Sequence, residues 1–254
     1  MSGDPTGDDP ELPDSWDAVF YDIGGVIVNL PSIRQGYANY LREFAAERDL
    51  DPEEALATWR GALGDYFKSG EGTEYRTARE GYRRAFRALV DDIDEEEWRP
   101  GFKRATAEAL EPEANAVETI DRLDDAGLYL GIVSDIDTWE AHRMLDRFGV
   151  DDAFDGITTS EDVGYKKPDE RMFADALGKA NGVDPSRSLY VGDRYEHDMQ
   201  GGTAAGLWTV AYGGTAAEKV ADADRDGLRV VGDDAVDFHA EDHRDLLSIV
   251  GLVD

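Results

Sequence analysis

Ala18-Val19-Phe20-Tyr21 is an apolar run of strand length that ends in a carboxylate, Asp22, and passes through Ile23 into two glycines, Gly24 and Gly25. The pattern predicts a buried strand whose chain turns sharply where Asp22 emerges from the sheet edge. From residue 32 to 110 the period changes. Ile33, Tyr37, Tyr40, Leu41 and Phe44 recur at helical spacing, as do Leu56, Trp59, Leu63 and Phe67, then Tyr75, Tyr82, Phe86 and Leu89. Gly70-Glu71-Gly72 and Pro100-Gly101 punctuate them. The spacing predicts roughly four helices over 32–111, inserted after the first strand as a separate lid.

From Pro112 helices and strands alternate. Val117, Ile120 and Leu123 mark a helix stopped by Ala126-Gly127, and Leu128–Val133 reads as a buried strand. Asp137 with Glu140 three residues on reads as a capping-box helix start. A short strand over 154–158, a helix from Asp169 to Asn181-Gly182, a strand Ser188–Val191, a helix to Ala205-Gly206 and a strand Trp208–Tyr212 follow. Arg229–Val231 reads as a final edge strand and Ala240–Val250 as a last helix. Five or six alternating strands predict an α/β fold with a doubly wound parallel sheet, built from 15–31 and 112–254 around the helical insert.

Charge narrows the function classes. Net charge is −31, from 36 Asp and 21 Glu against 20 Arg and six Lys, and the carboxylates run along the whole chain. A dispersed acidic, Lys-poor surface suits hydration in concentrated salt, where screening removes self-repulsion, so a halophilic cytoplasm is expected. No basic stripe is available to neutralise several phosphates, which argues against nucleic acid and anionic membrane surfaces. The absence of Cys excludes disulfides, thiolate chemistry and Cys-based zinc sites, and four scattered His make zinc improbable. With no N-terminal apolar segment, no targeting is expected. Residues 1–14 read as a disordered acidic arm.

Polar groups stand at the strand ends. After Asp22 come Ser134-Asp135, then Lys166-Lys167-Pro168-Asp169 opening a helix, then Gly192-Asp193 with Asp198 five residues on. Ligands bind beyond the carboxyl ends of strands in such sheets. Hard oxygen ligands at Asp22, Asp193 and Asp198 suit Mg²⁺, and donors at Ser134 and Lys167 suit phosphoryl oxygens. Each has a plain structural use as well: Asp22 and Ser134 as turn caps, Asp193 and Asp198 as solvated charges, and Lys166 as a competing cation. Asp162, Asp169 and Glu196 read as solvated or capping residues, and His142 and His197 as surface side chains.

The order and spacing of Asp22-Ile23-Gly24-Gly25-Val26, Ser134, Lys167-Pro168-Asp169 and Gly192-Asp193 with Asp198, continued by Gly201-Gly202 and Ala205-Gly206, resemble the haloacid dehalogenase superfamily. The branch resembled carries a helical cap after the first strand. The resemblance implies a Rossmann-like core and a Mg²⁺-dependent phosphoric monoester hydrolase acting on a small soluble phosphorylated metabolite. Asp22 would be the nucleophile that becomes an aspartyl-phosphate. Ser134 and Lys167 would bind phosphate, and Asp22, the Gly24 carbonyl, Asp193 and Asp198 would bind Mg²⁺. Such phosphatases usually carry a second Asp where this chain has Gly24, so substrates with good leaving groups are expected to dominate. The second motif is Ser-Asp where Ser-Asn or Thr-Asn is commoner.

Arg76, Arg79, Arg83, Arg84 and Arg87 gather on one stretch of the insert. They read either as partners of Glu80 and acidic neighbours or, through Arg76 and Arg83, as a cap surface that recognises an anionic substrate. Three rival readings stand beside the phosphatase. One is a metal-independent 2-haloacid dehalogenase. Another is a binding or regulatory protein without turnover, and the third a phospho-acceptor receiver, for which the chain and its insert are too long. No feature sets an oligomeric state.

Overall fold

The computed structural model describes residues 11–252; the part of the expected acidic arm before residue 11 lies outside them. Strand β1, Ala18–Tyr21, is the centre of the sheet and all four of its residues are buried. Its alternation divides the core. Val19 and Tyr21 join one apolar cluster with Ile132, Leu189 and Val210, while Ala18 and Phe20 join another, on the opposite face, with Phe173 and Tyr190. Between β1 and the next core helix come α1 (Leu30–Ala46), α2 (Pro52–Lys68), α3 (Ala78–Arg87) and α4 (Glu95–Glu108). Asn29, Asp51 and Thr77 start the first three by accepting first-turn N–H groups on their side chains. The four helices pack on a cluster of their own, around Tyr40, Phe44, Trp59, Phe86, Trp98 and Phe102.

The core continues through α5 (Ala116–Asp125), β2 (Tyr129–Ser134), α6 (Thr138–Phe148), β3 (Gly156–Thr159), the single turn α7 (Ser160–Val163) and α8 (Glu170–Lys179). After these come β4 (Ser188–Gly192), α9 (Gln200–Ala204), β5 (Trp208–Tyr212) and α10 (Gly214–Lys219). The chain closes with β6 (Asp224–Asp226), β7 (Arg229–Val231), β8 (Phe238–Ala240) and α11 (Arg244–Ile249).

The sheet order is β3-β2-β1-β4-β5-β8-β7-β6. β1 pairs in parallel with β2 (Tyr21 beside Ile132) and with β4 (Tyr21 beside Val191). The fold is therefore α/β with flanking helices, but the sheet is mixed: β7 pairs antiparallel with both β8 and β6. The expected parallel sheet thus stands in β3-β2-β1-β4-β5-β8 with an antiparallel extension, and what is corrected is Arg229–Val231 as its edge. β6 is the true edge, and Phe238–Ala240 is a strand where a helix was expected to begin. No described helix is long and apolar enough to cross a membrane.

A second correction concerns α6. Asp137 and Glu140 do not form a capping box; the Asp137 side chain caps no backbone N–H of its own helix and takes from α6 the Trp139 indole N–H (3.3 Å). It accepts instead from the Ala78 and Arg79 backbone N–H groups and the Tyr75 hydroxyl, while Glu140 accepts from the Tyr82 hydroxyl. Residues 73–75 also bond to 164–166, through Tyr75 N–H to the Gly164 carbonyl (2.9 Å) and Lys166 N–H to the Thr73 carbonyl (2.7 Å). These contacts seat the helical block over the carboxyl ends of the strands.

Candidate active site

Three adjacent parallel strands deliver three side chains to one edge of the sheet: Ser134 from β2, Asp22 from β1 and Asp193 from β4. Each is buried, at 3%, 4% and 6% exposure. The Asp22 N–H still bonds to the Val191 carbonyl (3.0 Å), so Asp22 leaves the sheet with its backbone pinned. The glycine after Gly24 is required by space as well as backbone. Gly25 has φ +82°, and a Cβ there would lie 2.6 Å from Asp193 Oδ2.

Lys167 arrives from the loop after β3, and its ammonium is fully buried. Nζ lies 3.1 Å from Asp22 Oδ1 and 2.7 Å from Asp198 Oδ1, and donates to the Tyr190 hydroxyl (2.8 Å). Burial alone would lower its pKa, but Asp198 and then Asp22 outweigh burial and raise it, so the ammonium stays charged. Lys166, the competing cation, is the lysine that lines the cavity beside this cluster, while Lys167 lies buried behind its wall.

Asp198 is presented by one turn of π-helix, Tyr195–Met199, in which the Met199 N–H reaches back to the Arg194 carbonyl. Both of its oxygens are engaged. Oδ1 takes Lys167 Nζ and the Tyr190 hydroxyl, and Oδ2 takes the backbone N–H groups of Asp193 and Arg194. Asp193 is the opposite case: its Oδ1 is buried and receives no hydrogen bond. Burial, with Asp22 and Asp198 close by, pushes its carboxyl up to about 7.

Sequence reasoning missed Arg194 and the place of His197 in the cavity wall. Arg194 donates to Asp135 (2.9 Å) and lies 3.9 Å from Asp22 and 3.8 Å from Asp198. His197 is partly exposed, as a surface side chain would be, but it also lines the cavity, 3.7 Å from Asp135; His142 is exposed beside Asp151. Asp135 accepts from Lys167 N–H, Ser160 and Arg194. Against the upward push of burial, His197, Lys167 and Arg194 hold it well below the usual carboxylate range. With Asp193 ionised, the carboxylates of Asp22, Asp135, Asp193 and Asp198 face two fixed cations, Lys167 and Arg194, and leave two negative charges in excess. Oxygens of Asp22, Asp193 and Asp198 lie within 4.8 Å of one another. Hard donors, surplus negative charge and an orphaned buried oxygen together suit a small divalent cation such as Mg²⁺.

Above this cluster, between the strand ends and the helical block, is a cavity of about 530 Å³. Asp22, Gly24, Ser134, Lys166, Asp193, Arg194 and Arg76 line it. Arg83 does not; it pairs with Glu80 on its own helix, as does Arg84, while Arg79 pairs with Glu95. Arg76 is itself engaged, donating to the Tyr66 carbonyl and to Ser69 with its guanidinium over the Tyr66 ring.

The sequence profile of the haloacid dehalogenase-like hydrolases matches residues 19–212, from β1 through β5. The chain belongs to that family. Among curated haloacid dehalogenase relatives, the glyceraldehyde 3-phosphate phosphatase of Methanothermobacter thermautotrophicus is 34% identical over 122 residues, 48% of this chain and 54% of the relative. The chain thus spans about half the length of that relative. The ribulose-1,5-bisphosphate 5-phosphatase of Halopiger xanaduensis is 28% identical over 207 residues, 77% of this chain and 84% of the relative. Of the solved structures, a haloacid dehalogenase-type phosphatase from Thermococcus onnurineus superposes with TM-score 0.66 at 22% identity, covering 92% of this chain and 98% of that one. The L-2-haloacid dehalogenase of Xanthobacter autotrophicus gives 0.63 at 19% identity, covering 94% and 100%. At these identities the superpositions show a shared fold, one that a phosphatase and a dehalogenase both carry.

Proposed function

We propose that this haloacid dehalogenase-like hydrolase is a phosphoric monoester hydrolase acting on a small phosphorylated metabolite, with Asp22 as the nucleophile. The observation that carries the reading is the pairing of Asp22 with the orphaned Oδ1 of Asp193 beside a buried, charged Lys167. Asp22 would attack phosphorus and become an aspartyl-phosphate while the ester oxygen departs with the electron pair; water would then release phosphate and restore Asp22. Ser134 and Lys167 would hold the phosphoryl oxygens, with Lys166 and Arg194 adding positive potential at the same mouth.

Asp22, Asp193 and the Gly24 carbonyl would hold Mg²⁺, whose charge draws the anionic ester into an acidic site and offsets the charge on the transferring group. Asp198, with both oxygens engaged, would act from behind by fixing Lys167 and the backbone of Asp193. The helical block would serve as the cap over the reacting phosphate. The dispersed acidic surface would suit a salt-rich cytoplasm.

Hydrolytic dehalogenation is the rival that the fold permits. Attack on carbon needs no cation, and it leaves the buried Asp193 oxygen without a purpose. The test is a panel of phosphate esters in molar KCl, with and without Mg²⁺, run beside halide release from L-2-chloropropionate. Phosphate release that requires Mg²⁺ supports the proposal. Halide release without Mg²⁺ would replace it, and silence in both assays would favour a non-catalytic binding protein.

A further inference from the structure

The cavity has two unlike halves. Asp22, Ser134, Lys166, Asp193 and Arg194 line it from the strand ends and the loops beside them; Ile33, Leu63, Phe67 and Tyr82 line it from the helical block, and Glu140 and Met144 from α6. Phe67 is one of the few large apolar side chains left exposed among the described residues, at 40%. Its ring meets the Tyr66 ring edge-on, at 5.2 Å between centroids, and an exposed apolar side chain that lines a cavity is poised to gain further cover from a ligand. Glu140 is 3% exposed, accepts from the Tyr82 hydroxyl at 3.1 Å, and Tyr82 in turn bonds Tyr37 at 2.8 Å.

We propose that the helical end of the cavity selects phosphate esters whose leaving group is a planar, uncharged ring bearing a hydrogen-bond donor, with Leu63 and Phe67 covering the ring and Glu140 receiving the donor. The proposal rests on the phosphatase reading for the phosphate end and deepens it at the other.

Three observations favour this class over its competitors. A polyhydroxylated open-chain leaving group needs a polar partner for each hydroxyl, and Ile33, Leu63, Phe67 and Met144 supply none. A second phosphate would meet the Glu140 carboxyl, while Arg76 already donates to Tyr66 and Ser69. The volume of about 530 Å³ falls within the roughly 300–1,000 Å³ of pockets that enclose ring-bearing ligands.

The experiment reads binding instead of turnover, on the full-length Asp22→Asn protein in molar KCl with Mg²⁺. Calorimetric titrations use phenyl phosphate, 4-hydroxyphenyl phosphate, glycerol 3-phosphate and fructose 1,6-bisphosphate. Phenyl phosphate should bind about tenfold more tightly than glycerol 3-phosphate, the gain expected from covering one ring face. Phe67→Ala should remove that advantage and leave glycerol 3-phosphate unchanged. The 4-hydroxy compound should bind several-fold more tightly than phenyl phosphate (about three- to tenfold); Glu140→Met should abolish this difference and Glu140→Gln restore it. Because each variant is judged on a ratio of two ligands, general loosening of the helical block would leave the ratios unmoved.

Tighter binding of glycerol 3-phosphate or of the bisphosphate than of phenyl phosphate would overturn the proposal. So would a Phe67→Ala variant that weakens all four ligands alike, or the absence of saturable binding by any of them. Failure of the phosphatase reading is distinguishable, since it shows as no phosphate release by the unsubstituted protein and leaves these binding ratios measurable.

Discussion

The carboxylate of Asp137 caps a helix it does not belong to: Oδ1 receives the backbone N–H of Ala78 at 2.7 Å, across a gap of 59 residues. Oδ2 receives the next N–H, of Arg79, at 2.9 Å, so one buried core residue satisfies two orphan donors at the start of α3. Asp137 also takes the hydroxyl of Tyr75, a cavity-lining residue. Replacing it by Ala leaves these donors unsatisfied, at a cost of about 1–3 kcal/mol for the first and less for those that water can reach. Denaturation of Asp137→Ala in molar KCl should show that loss. Hydrogen exchange should quicken at Ala78 and Arg79 while amides of β1 and β4 keep their protection; uniform loss of protection would mean that Asp137 supports the core as a whole.

The buried Lys167 predicts an asymmetry between two substitutions at neighbouring atoms. Lys167→Met removes the buried ammonium that Asp22 and Asp198 share and leaves them only the more distant Arg194 among the described residues, and breaking such a buried pair typically costs about 3–5 kcal/mol. Asp22→Asn removes one of several clustered negative charges and leaves the Lys167–Asp198 contact in place. It should abolish phosphate release while shifting stability by no more than about 1 kcal/mol. Paired melting curves and phosphate assays check both, and residual turnover above a few per cent in Asp22→Asn would remove it as nucleophile.

Much of this arrangement was legible in the chain. β1, β2 and β4 are unbroken apolar runs, and a polar residue directly after such a run has one place to go, so Asp22, Ser134 and Asp193 could be read as neighbours at a sheet edge. Arg194, His197 and Glu140 could not. They reach the cavity from a π-turn and from the first turn of a helix, and no linear spacing tells a residue facing the cleft from one facing solvent. Asp137 and Glu140 carry the spacing of a capping box, which is silent about a competing helix end that only tertiary structure supplies. β6 was invisible because Asp-Arg-Asp is exposed throughout and carries no alternation.

Glu140 gives stability a pH dependence whose sign can be worked out. Its carboxyl is raised from an ordinary 4.5 to about 7 by burial, then by Asp137, against the opposing pull of Arg143, Tyr82 and Lys103. The folded protein therefore binds more protons than the unfolded chain between these values. Its contribution to stability is fully present below 4.5, declines as pH rises, and is lost above 7, on the order of 3 kcal/mol in all. Glu140→Gln removes the titrating group, so the melting temperature of the variant relative to the unsubstituted protein should climb between pH 5 and 8 at constant salt. A difference independent of pH would show that Glu140 is charged in the folded state throughout.

Salt should stabilise the protein. With a net charge of −31, most Arg side chains already pair with carboxylates, as in Arg171–Asp169, Arg187–Asp17 and Arg244–Asp242, and the remaining acids repel one another. At 1 M the screening length is about 3 Å, shorter than the spacing of most surface charges. The melting temperature should rise between 0.1 and 2 M KCl, and a fall would contradict a protein adapted to salt.

Gly24 should set which esters turn over fastest if the protein acts as proposed. With no carboxylate at that position, an acid that would protonate the departing oxygen is missing, a contribution typically worth about 10²–10⁴-fold. Asp135 and Asp137 do not replace it: the first is held by Lys167, Ser160 and Arg194, the second by the start of α3. Esters whose leaving group departs readily as an anion lose least, so the rate should fall steeply as leaving-group pKa rises across a graded series of aryl and alkyl phosphates. The backbone permits the complementary test. Gly24 has no left-handed φ, and a Cβ built there meets only Leu30 Cδ2, at an ordinary contact distance of 3.4 Å. Gly24→Asp can therefore be accommodated at the cavity wall, and it should flatten the dependence by accelerating the poorest leaving groups most. A flat profile in the unsubstituted protein would require another acid. His197 would then be the candidate, since it lines the same cavity with its Nδ1 buried and unbonded, and His197→Asn should restore the slope.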